Sequence, residues 1–259
     1  MLDKTHLLYI LISTLVGAAL LTLLAIRRSR RQGRAVLAVL AVGTVLLHYS
    51  PLWVEYLQSG AATAVGEMLF LLYPCHICMW LLVLSVYFLE REGVLAQLLR
   101  DFTFWGGTVC ATIGLLLNEN YDSNPTLSDY SVLKGLLSHS TLIFGCILLL
   151  TSGHVRIRVG RGCAAVAAGL TLFLADGLLV NWLFARFGLP TPNAMYLEEL
   201  PFPSLPWLNT ATIGLAAMLT VFLVSAIFEE IALPREERWH ARLIAQIKKR
   251  NNTEKRRHL

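Results

Sequence analysis

The chain has 259 residues, 56% of them hydrophobic and 15% charged, with a formal net charge of +5 and a mean hydropathy of +0.59. A soluble globular domain carries roughly 25% charged residues, so a water-soluble fold of this size is excluded by its shortage of polar surface. Strand-period alternation is absent, which argues against a transmembrane barrel, and the basic residues gather at the ends of apolar runs, which argues against a nucleic-acid partner.

Seven apolar stretches come close to the roughly 20 residues that a helix needs to cross a bilayer, and backbone groups in lipid must be satisfied within each segment. The fold expected is all-α, a polytopic membrane helix bundle of about seven transmembrane helices. The first stretch, Thr5–Ile26, is expected to be a retained helix and not a secretory leader. Its charged leader is only Asp3 and Lys4, and its apolar run outlasts the usual ~7–15 residues. The second is Ala35–Tyr56. The third, Met68–Leu89, contains Tyr73-Pro74-Cys75-His76-Ile77-Cys78, where Pro74 is expected to kink the helix and free the carbonyl of Phe70. Phe102–Asn118, Val132–Thr151 and Cys163–Phe184 follow. The outer loop Gly188–Pro206, with five prolines around Asn193-Ala-Met-Tyr196, is too rich in proline for a helix and too apolar for an ordinary solvated loop. It is expected to be a re-entrant or lid-like segment packed on the helix ends. Thr210–Leu233 is the seventh stretch, so residues 1–233 form the transmembrane domain and 234–259 a basic cytoplasmic tail. The tail begins as a short amphipathic helix (Trp239, Leu243, Ile244, Ile247) expected to lie on anionic lipid headgroups.

With the amino terminus outside and the carboxyl terminus cytoplasmic, 19 of the 22 Lys and Arg residues fall on the cytoplasmic side, as the positive-inside rule requires. Lys4, Lys134 and Arg186 are the exceptions. The chain is thus expected to be a multi-pass integral membrane protein, of the plasma or inner membrane in a bacterium or of the endomembranes in a eukaryote.

Ionisable residues inside a span mark functional candidates. In this topology Cys75, His76, His139, Asn118 and Asn181 come from four helices and share one layer in the outer half of the membrane, with Asp176 somewhat deeper. A cysteine attacks an ester carbonyl when a histidine takes its proton. Neighbouring residues on a helix point about 100° apart, so His139 is a better base for Cys75 than His76. Amides such as Asn118 or Asn181 suit an oxyanion. Cys75 and Cys78 also form a C-x-x-C, which keeps open a membrane thiol oxidoreductase, although Cys110, Cys146 and Cys163 sit too deep to relay electrons outward. Metal ligation by Cys75, His76, Cys78 and His139 fits poorly because two of these ligands adjoin in sequence; no metal and no cofactor is expected. A transporter or small-molecule binding protein would use the same polar layer to hold a ligand. His6 and His48 are read as interfacial.

These motifs resemble the YwaF-type bacterial integral membrane proteins and their animal relative, the transmembrane protein 164 family. The shared elements are Thr5-His6-Leu7-Leu8, Pro74-Cys75-His76, Phe104-Trp105-Gly106, Ser138-His139, Asn181, the run from Asn193 through Tyr196 to Leu197, and Pro203-Ser204-Leu205. The resemblance implies lipid acyl chemistry. A cysteine nucleophile and a histidine would transfer or hydrolyse an acyl chain of a phospholipid or lysophospholipid, and they map to Cys75 and His139. Many bacterial members have leucine at the position of Cys75 and keep the cysteine at Cys78, which leaves Cys78 as an alternative nucleophile. His76, Asn118, Asn181, Asn193, Tyr196 and Asp176 are the expected supporting or substrate-binding residues.

Overall fold

A computed structural model describes residues 3–27, 29–60, 70–117, 126–200, 206–207, 209–245 and 247. Their principal elements are seven α-helices: α1 Lys4–Arg27, α2 Arg30–Ser59, α3 Pro74–Tyr87, α4 Val94–Leu116, α5 Tyr130–Thr151, α6 Val159–Arg186 and α7 Thr210–Ala232. Among the described residues there is no strand. Each apolar stretch became a helix, and α1, α2, α5, α6 and α7 are long and apolar enough to cross a membrane. Their outward faces carry large exposed apolar side chains, such as Leu11, Leu15, Leu215 and Ile231.

Two stretches differ from expectation. The third helix does not run through Pro74 with a kink; it begins there. Tyr73 is the extended N-cap and Pro74 stands at the first helical position, where the missing N–H has no intrahelical partner to lose. Cys75 and His76 therefore occupy the first turn of α3. The expected start at Met68 lies outside the described residues. The fourth helix begins at Val94, eight residues before the apolar run, and Arg100 and Asp101 find counterparts inside the fold, although Arg100 Nε and Asp101 Oδ1 stay unpartnered. The Arg100 guanidinium donates to the carbonyls of Phe88, Leu89 and Arg91, closing the carboxyl end of α3 where a cation is favoured. Asp101, 2% exposed, pairs with Arg161 at 2.8 Å.

Helix α4 is the centre of the bundle, with α3, α5 and α6 packed around it. Residues 101–107 are all buried. The Phe102 ring fills the place of a side chain at Gly169 of α6, and Cys146 of α5 lies where Gly107 would carry one. Small residues at these crossings let the backbones approach closely. Helix α2 lies on α5 and α3, α7 on α6, and α1 touches the bundle mainly through α5. His6 is not interfacial: it is 1% exposed, and its Nε2 lies 2.8 Å from the carbonyl of Leu115 in the last turn of α4.

One end of the bundle is a network of charges. Glu229, fully buried, accepts from the backbone N–H of Val159 and from Arg242. Arg158 pairs with Glu237, and Arg238 with Glu230. Trp239 packs on Phe222 of α7 at 5.5 Å. The start of the tail is thus tied to the bundle, which the amphipathic pattern alone did not indicate.

The proline-rich segment between α6 and α7 is docked as a cap, as far as it lies within the described residues. Ala194 and Met195 are buried. The Ala194 N–H donates to Asn181 Oδ1 at 2.8 Å and the Met195 N–H to the carbonyl of Leu72 at 2.8 Å. Asn193, Met195 and Tyr196 all have positive φ (51°, 55° and 55°), a conformation that costs a non-glycine residue about 1–3 kcal/mol. The docking contacts over-determine it: Asn193 Oδ1 accepts the N–H groups of Glu198 and Glu199, and Thr210 donates to the Tyr196 carbonyl. On α6, Gly177 leaves room for Ala194 and Met195.

Two outcomes follow from these contacts. Glu229→Ala should lower the thermal midpoint of the purified protein, costing about 1–3 kcal/mol for the stranded Val159 N–H, whereas alanine at the exposed Glu236 should leave it unchanged. Asn181→Ala should speed amide hydrogen exchange at residues 194–197; exchange as slow as in the parent protein would show that this amide does not hold the segment.

Candidate functional site

The polar residues gather around the first turns of α3 and α5. Cys75 stands in the first turn of α3, where the His76 N–H donates to the Tyr73 carbonyl at 2.9 Å and the helix dipole favours negative charge. Its neighbour across the helix interface is Cys110 of α4. Cys78, one turn deeper, is fully buried, packs beside Gly106 and lies within electrostatic range of Cys110. Cys75 and Cys78 are both free thiols.

His139 lies more than two turns into α5. Its Nδ1 is 2.7 Å from the carbonyl of Gly135, a bond that places the proton of the neutral ring on Nδ1, the tautomer whose Nε2 carries the lone pair. Nε2 points at α4: the imidazole edge occupies the space that a Cβ at Gly114 would fill. Gly114 and Cys110 stand one turn apart on α4. His139 is thus in contact with α4 at Gly114, and Cys110, one turn away, lies within electrostatic range of Cys75.

His76 points away from the sulfur. Its ring lies 4.1 Å from that of His48 on α2 and 5.2 Å from that of Tyr73. His48 is not an interfacial residue, since it is 5% exposed. Lys134, in the second turn of α5, lies within electrostatic range of Cys75, His48, His76 and His139. Sequence reasoning missed His48 and Lys134 as members of this cluster. The available signal was that both fall in the outer halves of their helices in the expected topology, as Cys75 and His76 do.

The other expected residues have separate places. Asn181 and Asn193 spend their amides on the backbone of the capping segment. Tyr196 stacks at 5.3 Å on Tyr73, which in turn touches His76, so the cap borders the cluster. Asp176 has a buried Oδ2 with no partner, and no contact joins it to the cysteine or the histidines. Asn118 lies outside the described residues. Among those residues no three His, Cys, Asp or Glu side chains are grouped to hold a metal ion. A cleft of about 340 Å³ between α1 and α5, lined by Tyr9, Ile12, Leu137, Ser140 and Phe144, opens on the face of α5 turned away from His139.

The relationships of the chain agree with this picture at the level of the family. No curated protein matches it, and no solved structure does either. Its residues 1–228 match the model of the TMEM164 family. That match spans all seven helices except the last turn of α7, and includes the Cys75–His76 turn, His139 and the capping segment. Sequence, helical architecture and family model converge, and the chain is a multi-pass integral membrane protein that belongs to the TMEM164 family.

Proposed function

We propose that the protein is a membrane-embedded enzyme that transfers or hydrolyses an acyl chain of a phospholipid, with Cys75 as nucleophile and His139 as general base. The observation that carries this reading is the state of His139. A histidine whose Nδ1 proton is held by the Gly135 carbonyl presents an unprotonated Nε2, which is what a base for a thiol requires. Cys75 is favoured over Cys78 because Cys78 is wholly buried beside Gly106, whereas Cys75 is partly exposed in the first turn of its helix.

In the reaction the thiol proton passes to His139 Nε2 as the sulfur attacks the ester carbonyl carbon. The electron pair of the carbonyl moves onto oxygen, giving a tetrahedral oxyanion. When the pair returns, the bond to the glycerol oxygen breaks, and His139 returns the proton to that oxygen. A thioester on Cys75 and a lysolipid result. A hydroxyl of a second lysolipid, or water, then attacks the thioester with His139 again as base, and the thiol is restored. The Tyr196 cap over the cluster would limit the entry of water.

In vesicles carrying a labelled phospholipid, Cys75→Ala and His139→Ala should each abolish turnover without lowering membrane expression; turnover retained in either variant rejects the assigned pair. Gly114→Ala should displace the imidazole and reduce turnover on the order of 100-fold, the scale expected for a small misplacement of a catalytic group. Cys78→Ser should have a far smaller effect, whereas a thiol oxidoreductase using both sulfurs would lose activity equally in the two cysteine variants.

A further inference from the structure

Three nitrogen side chains beside Cys75 have no task in the acyl step. His48 on α2 is 95% buried by its 5% exposure, and its Nε2 finds no hydrogen-bond partner. His76 on α3 has a buried Nδ1 in the same condition. The two rings are 4.1 Å apart. Lys134 on α5 is half-buried and has no carboxylate partner among the described residues. The helices fix their convergence. Thr44 of α2 donates to Thr141 of α5 at 2.8 Å. His48 stands one turn beyond Thr44, and Lys134 two turns before Thr141, on the same two facing surfaces.

Buried polar groups are normally paired, and a cation withdrawn from water without a counter-charge is costly. Here one ammonium and two unpaired imidazoles lie within electrostatic range of one another, with the amino-terminal end of α3 close by; the amino terminus of α5 is already capped by Asp129. Helix amino termini also favour negative charge. A metal ion does not suit this set, because the ammonium would repel it. An anion with several acceptor oxygens suits every member of it.

We propose that His48, His76 and Lys134 form the binding site for the phosphate group of a phospholipid headgroup. This rests on the reading of the protein as a phospholipid-acting enzyme, and it explains how an ester would be brought to Cys75. In a glycerophospholipid the phosphate and the acyl esters hang on adjacent carbons of one glycerol. Cys75 adjoins His76 in sequence and lies within electrostatic range of Lys134. A phosphate held by the three nitrogen groups therefore leaves the ester within reach of the sulfur, and the acyl chains running toward the bilayer centre. The phosphate is bound and not transformed, so no bond in it changes.

The test measures binding and not turnover, so it stands or falls apart from the acyl reading. The full chain is placed in nanodiscs as the Cys75→Ala form, which cannot consume an ester. Binding of a fluorescent phosphatidylcholine is compared with that of a diacylglycerol carrying the same chains and label, and inorganic phosphate is added in a third arm. The expected result is a preference for the phospholipid of at least about tenfold, reduced to near equality by Lys134→Met and by His48→Phe and kept by Lys134→Arg, since charge-assisted bonds to phosphate are strong. Lys134→Met should also raise the thermal midpoint of the lipid-free protein in detergent, because it removes a half-buried charge that has no carboxylate partner among the described residues; a role in folding alone predicts the reverse. Equal binding of the two lipids by the parent form, or an undiminished preference in Lys134→Met, overturns the proposal. Inorganic phosphate that binds in a Lys134-dependent way and leaves the lipid preference intact also overturns it, in favour of a free-anion site.

Discussion

The approach of α3 and α5 to α4 depends on glycines of α4, and that of α6 on a glycine of its own facing the Phe102 ring. Gly107 admits Cys146, Gly114 admits the His139 imidazole, and Phe102 reaches Gly169 on the opposing helix. In a bilayer the hydrophobic effect gives helices little reason to associate, so close van der Waals contact must do so. The same spacing sets the chemistry. A larger residue at Gly114 would occupy the place of the imidazole, and the histidine would lose its orientation along with its packing.

The architecture separates two kinds of polarity. At one end, Glu229, Asp101, Arg158 and Arg161 are matched charge for charge or bonded to backbone N–H groups. These interactions fasten loops to helices, although Asp101 Oδ1 and the Nε atoms of Arg100 and Arg242 are buried there without partners. At the other end, His48 Nε2 and His76 Nδ1 are buried without partners, and the half-buried Lys134 lies within electrostatic range of both rings. The two ends differ in charge pairing: the first holds ion pairs, and the second holds an ammonium with no carboxylate partner among the described residues.

Much of the helical plan was legible in the sequence because length and apolarity suffice to define a helix in lipid. All seven apolar runs became helices, and the Pro74-Cys75-His76 turn stood out as the densest polar element. The role of Pro74 was not legible: a proline fits either a kink or a first turn, and only the extended conformation of Tyr73 decides between them. The extent of α4 was hidden for a different reason. Arg100 and Asp101 look like the boundary of a span, yet their charges are neutralised by groups distant in sequence. His48 and His6 illustrate the same limit, since a histidine near the end of an apolar run can face headgroups or another helix, and its partner is fixed by tertiary packing.

The capping segment has a consequence for the order in which the molecule is assembled. Met195 bonds to Leu72 ahead of α3, Ala194 to Asn181 on α6, and Tyr196 to Thr210 on α7. No pair of neighbouring helices can supply all three anchors, and the left-handed backbone at Asn193, Met195 and Tyr196 is unfavourable without them. The cap can therefore close only after α6 and α7 have been made and have packed with the segment ahead of α3. A nascent chain that lacks α7 would lack one of these anchors, so completion of synthesis would itself fix Tyr196 against Tyr73.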